Sequence, residues 1–114
     1  MRLSDDLRER TKRFASVVIQ LYVALPKGRK EVEIVGNQLL RSGTSVAAHA
    51  REASRARSDA EFCSKQDGLL QEADESQLWL ELLRENRATR DTADPSAWRN
   101  RRASGDLHDY RRKD

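Results

Sequence analysis

Three apolar stripes of helical period, separated by two stop signals, constrain this chain more than any other feature. In the first, Leu7, Phe14, Val18, Leu21, Tyr22 and Leu25 recur at steps of three, four and seven residues, as on one face of an amphipathic helix. Ser4 stands at the N-cap position, and Asp5 and Asp6 follow it where negative charge favours the helix dipole. Pro26 and Gly28 end the segment. The second stripe starts near Lys30 and carries Ile34, Val35, Leu39, Leu40 and Val46. A helix from there to Ala56 would be roughly 40 Å long. Ser42, Gly43, Thr44 and Ser45 are consecutive poor helix formers, so a break there is the alternative. The third stripe has the clearest start, the S-x-x-E capping box Ser58-Asp59-Ala60-Glu61. Phe62, Leu69, Ala73, Leu80 and Leu83, with Leu70 and Trp79 alongside, carry it to about Glu85. Gly68 in its interior costs about 1 kcal/mol relative to Ala.

The expected fold class is therefore all-α, an antiparallel up-and-down helical bundle with helices at about 4–25, 30–56 and 59–85. Residues 1–86 form the bundle domain in this reading. Residues 87–114 form a basic C-terminal segment, either a short helix near Pro95 to Ala103 or disordered. Trp98, Leu107 and Tyr110 are its only large apolar residues, too few for a long buried fourth helix.

Charge and cysteine usage narrow the class. Hydrophobic and charged residues are almost equal, 37% and 36%, so a lone bundle is short of core and burial between subunits is an attractive supplement. The 14 basic and 14 acidic residues of 1–86 cancel, and the net charge of +3 belongs to 87–114. The basic balance is thus no proof of a basic face on the folded part. Cys63 is the single cysteine, which excludes an internal disulfide and fits a reducing compartment. No apolar run approaches the roughly 18–20 residues that span a bilayer, and the N-terminus is too charged for a secretory signal. The expected location is the cytoplasm, without membrane attachment.

The stretch "RSGTSVAAHAREASRARS", Arg41 to Ser58, has one large aliphatic, Val46. Gly43, Ala47, Ala50 and Ala53, with Ala48, allow helix axes to approach closely where Leu would hold them apart. Arg41, Arg51, Arg55 and Arg57 have only Glu52 among them as an acidic neighbour. Guanidinium suits both carboxylate pairing and phosphate contact, and two readings follow. In one, the arginines pair with Glu72, Asp74, Glu75 or Glu81, in the same chain or a neighbouring subunit. In the other, they form a basic patch, repeated by oligomerisation, for the phosphates of RNA or DNA. Arg99, Arg101 and Arg102, then Arg111, Arg112 and Lys113, suggest a flexible basic arm as a third idea; the five acids interspersed through residues 87–114 favour a solvated, disordered end.

No catalytic, metal or cofactor constellation is written here, and no small-molecule substrate is implied. His49 and His108 have no second His or Cys at ligand spacing. Asp74 and Glu75, being adjacent, point about 100° apart on a helix. Trp79 reads as core rather than a base-stacking platform, and Glu72 and Trp79 are both candidates for helix or oligomer packing. The expectation is a protein that is not an enzyme.

Three motifs, "LLRSGTS", "REASRARS" and "EADESQLWLELL", stand in this order over Leu39 to Leu83. Through them the chain resembles the bacterial four-helix-bundle proteins first noticed as products of intervening sequences inside 23S ribosomal RNA genes. The resemblance implies a left-handed antiparallel bundle, a ring-like homopentamer and no established enzymatic activity. A bundle similar in fold, the accessory protein of diversity-generating retroelements, binds nucleic acid, so nucleic-acid binding is a family-level expectation. Two departures stand out. Gln66 and Gly68 replace usually apolar positions, which should loosen the middle of the third helix, and residues 87–114 lack the Leu-rich fourth helix.

Overall fold

The structure, a computed structural model, describes residues 5–89 of the 114. These form three α-helices, α1 (Asp5–Ala24), α2 (Lys30–Ser54) and α3 (Asp59–Glu85), and no strand. Consecutive helices run antiparallel, and α2 packs lengthwise against both α1 and α3. Ser4 and the C-terminal segment with Trp98, Leu107 and Tyr110 lie outside the described residues.

The stripes read from sequence form the core. Leu7, Phe14, Val18 and Leu21 of α1 meet Val32, Leu39, Val46, Ala50 and Ala53 of α2 and Phe62, Leu69, Ala73, Leu80 and Leu83 of α3 in one buried cluster. Ile34 departs from the reading: it is 53% exposed, while its neighbour Val35 packs against the core. Burying Val35, Leu39 and Val46 together rotates Ile34 outward, since adjacent helical residues lie about 100° apart.

α2 does not break at Ser42–Ser45; it is continuous over 25 residues, roughly 37 Å at 1.5 Å each. The poor formers there are held by what they touch. Thr44 Oγ1 donates to the Leu40 carbonyl at 2.8 Å. Ser42 Oγ lies 2.8 Å from Ser76 Oγ across the buried α2–α3 seam, and Ser76 in turn donates to the Glu72 carbonyl at 2.9 Å. Each hydroxyl is thereby satisfied without unwinding the helix. The helix ends at Ser54, two residues before the expected Ala56.

Glycines set the α1–α2 spacing. A Cβ on Gly43 would lie 2.9 Å from Val18 Cγ2, and one on Gly36 would lie 2.7 Å from Leu25 Cδ1. A step of seven along α2 thus matches a step of seven back along α1, which fixes the register of the antiparallel pair. Tyr22 Oη reinforces it by donating to Asn37 Oδ1 at 2.7 Å.

The helix ends are specified locally. Ser58 Oγ accepts from the Glu61 amide at 3.1 Å, as the capping box requires. The Glu61 carboxylate, however, accepts from the Arg57 amide, one residue outside the cap. At the other end of α3, Asn86 is the C-cap and Arg87 has φ 59°. The amide of Arg87 donates to Arg84 O at 3.1 Å and that of Ala88 to Leu83 O at 2.8 Å, the two bonds of a Schellman motif. Arg29, before α2, donates to Asn86 O at 3.1 Å and pairs with Glu31. That pairing, after hydrogen bonding to backbone, holds the Glu31 carboxyl below its ordinary range.

Gln66 and Gly68 do not leave a loose patch in α3. Gln66 is fully buried, and Gly68 is a notch occupied by the His49 imidazole of α2, whose Cε1 would lie 3.0 Å from a Cβ there.

Candidate nucleic-acid interface

The four arginines singled out from sequence separate into two groups. Arg41 is engaged by α3: its guanidinium lies 3.0 Å from Glu75 Oε1 and 3.5 Å from Glu72 Oε2. The α2–α3 register puts these acids opposite it, as in the pairing reading. Arg51, Arg55 and Arg57 are exposed, and their side chains have no ion-pair partner among the described residues. Glu52, their one acidic neighbour in the stretch, is drawn to Lys65 of α3, whose Nζ lies 3.2 Å from its Oε1, with His49 Nδ1 of α2 itself at 3.5 Å.

Arg51 and Arg55 are four residues apart at the end of α2, and Arg51 lies on the side that borders α1. The antiparallel packing of α1 brings two further cations to the same edge. Arg8, Lys12 and Arg51 line a hollow of about 240 Å³ between the helices, with Ala47 and Ala48 as its remaining wall. Lys12 has no ion-pair partner among the described residues; Arg8 carries Asp5 at 2.7 Å, an exposed pair within one turn. Sequence reasoning about Arg41 to Ser58 did not reach Arg8 and Lys12. The signal that could have found them is their i, i+4 spacing on the polar side of the first stripe.

The small residues occupy different environments. Gly43 lies against Val18; Ala50 and Ala53 are buried at 1% and 0% exposure. Ala47 is half-buried and Ala48 exposed, both beside the hollow. Trp79 is half-buried against the core, and Glu72 is held near Arg41. Among the described residues no group of His, Cys, Asp or Glu is placed to hold a metal ion, and no helix is long and apolar enough to cross a membrane. Cys63 is partly buried.

The fold and this edge define a small antiparallel helical-bundle protein with a basic cluster between its first two helices. Residues 6–95 match the family described as 23S rRNA-intervening sequence protein, and the chain belongs to that family. It is also similar to a crystal structure of a protein of unknown function from the S23 ribosomal protein family of Bacteroides thetaiotaomicron. The identity is 32%, the match covers 93% of this chain and 92% of that one, and the TM-score is 0.72. Comparison with curated proteins gave no match.

Proposed function

We propose that the protein is a non-enzymatic, self-associating helical bundle that binds nucleic acid through phosphate contacts along its α1–α2 edge. The observation that carries this reading is the contrast within one helix: Arg41 is neutralised by Glu72 and Glu75, whereas Arg51 and Arg55 face solvent without an acid. Lys12 and Arg8 join Arg51 from α1. The family's description by 23S rRNA intervening sequences agrees with a role beside RNA. A homo-oligomer, a pentamer if it follows its relatives, would repeat the edge and raise avidity.

The test is RNA binding by fluorescence anisotropy across a salt series. Phosphate contacts predict log affinity falling linearly with log salt. Reversing Arg51 and Arg55 to Glu should abolish most binding, and Arg41→Ala should leave it unchanged. Affinity indifferent to salt would sink the proposal, as would equal loss on Arg41→Ala.

A second reading assigns the arginines to subunit contacts. It meets a competing surface: Val23, Ile34 and Leu78 are 65%, 53% and 47% exposed, in the half of the bundle nearer the α1–α2 turn and away from Arg51 and Arg55. Light scattering separates the two. If the double reversal dissociates the oligomer and spares RNA affinity, the subunit-contact reading replaces the first.

A further inference from the structure

We infer that the hollow between α1 and α2 is a seat for a single phosphate group, held by Lys12 and Arg51 with Arg8 at its rim. This rests on the nucleic-acid reading above and names the subsite and the chemistry it recognises, a backbone phosphate. Three cations from two helices converge on one cavity of about 240 Å³ that has no carboxylate in its wall. By volume that is room for about eight waters at about 30 Å³ each, enough for a phosphate and part of its sugar.

The register of the two helices builds this convergence. The seven-residue steps that set Val18 on Gly43 and Leu25 on Gly36 bring Thr11 level with Ala50 one step further on. Both of those residues are buried, at 0% and 1% exposure. Lys12 and Arg51, each next along its helix, flank that pair on the groove side. Ala47 and Ala48 keep the groove open; a longer side chain at either position would fill it.

Lys12 and Arg51 lie at one hollow without a counter-ion among the described residues and repel one another, so an incoming anion relieves a cost already present in the free protein. Lysine supplies a compact point charge and arginine a planar fork, a combination suited to phosphate oxygens. Among the described residues, Asp5 on Arg8 is the one carboxylate paired with the cluster. An exposed pair of this kind is worth little, so Arg8 is free to turn toward the ligand.

The experiment separates shape from charge. Ala48→Leu fills the hollow without altering any charge, on an exposed helical position where Leu is well tolerated. It should weaken RNA affinity about tenfold, the scale of removing one charge-assisted hydrogen bond. Lys12→Gln should weaken it similarly and flatten the log–log salt slope by about 0.7 for a single strand. If Ala48→Leu binds as wild type while Lys12→Gln weakens binding, the seat is overturned and the edge acts only as a diffuse basic surface.

A titration of the wild-type protein with inorganic phosphate, followed by amide chemical shifts, gives an independent readout. Shifts confined to Lys12, Ala47, Ala48 and Arg51 support the seat, and their absence overturns it. Wild-type protein that ignores RNA at low salt would overturn the nucleic-acid reading alone, because localised phosphate shifts would still report the subsite.

Discussion

The imidazole of His49 on α2 fills the gap left by Gly68 on α3, where three ring atoms would lie 3.0–3.2 Å from an added Cβ. The glycine that costs helix propensity thus admits a polar ring into the α2–α3 interface. Ala in place of an interior Gly ordinarily gains about 1 kcal/mol. Gly68→Ala should lose most of that gain to the displaced ring, whereas in a His49→Ala background the gain should appear in full. Urea midpoints of the four proteins measure the coupling. Equal gains in both backgrounds would mean that the ring does not depend on the notch.

Gly43 and Gly36 should respond differently to the same substitution. At Gly43 the new methyl meets three atoms of Val18, a fully buried β-branched side chain with no room to turn. Gly43→Ala should destabilise by about 1–3 kcal/mol, overriding its propensity gain. At Gly36 the tight contact is only the end of Leu25, with Tyr22 ring atoms at 3.5 Å and beyond. Gly36→Ala should be close to neutral. Thermal unfolding of the pair decides it, and equal losses would contradict the argument from side-chain freedom.

Arg87 holds a left-handed conformation, φ 59°, at the position after the α3 C-cap where glycine is preferred. An L-residue there costs about 1 kcal/mol. Arg87→Gly should therefore raise stability by up to about 1 kcal/mol, less what glycine gives back in chain entropy. Arg87→Ala keeps its Cβ and should gain nothing. Melting temperatures that rise equally for both variants would point away from backbone strain.

The buried Ser42–Ser76 bond is asymmetric. Ser42→Ala leaves Ser76 donating to the Glu72 carbonyl at 2.9 Å, so the loss should be about 1 kcal/mol. Ser76→Ala leaves Ser42 only the Leu39 carbonyl at 3.4 Å, and should cost about 2 kcal/mol because a buried hydroxyl is poorly satisfied. The double variant should cost less than the two losses together. Denaturant unfolding with strictly additive values would refute a shared bond.

Much of the fold is legible along the chain because its signals are local. Ser58-x-x-Glu61 starts α3 at Asp59, Pro26 and Gly28 interrupt the chain between α1 and α2, and the stripe through Leu39, Leu69 and Leu80 is buried. The continuity of α2 through Ser42–Ser45 was not legible. It depends on Ser76 and Val18, residues distant in sequence, while intrinsic propensity argues for a break. The end of α3 near Glu85 was legible, but the left-handed cap at Arg87 was not, because arginine is not the usual residue there.

The candidate site divides in the same way. Sequence alone determined that Arg41, Arg51, Arg55 and Arg57 are crowded with a single acid between them, since charge density along a chain needs no coordinates. Only the tertiary structure decided which of them meet carboxylates. The α2–α3 register delivers Glu72 and Glu75 to Arg41 and Lys65 to Glu52, while the α1–α2 register delivers Lys12 and Arg8 to Arg51. Register is set by where one helix accepts the side chains of another, at Gly36, Gly43 and Gly68, and that fit is a property of pairs of helices rather than of any one segment.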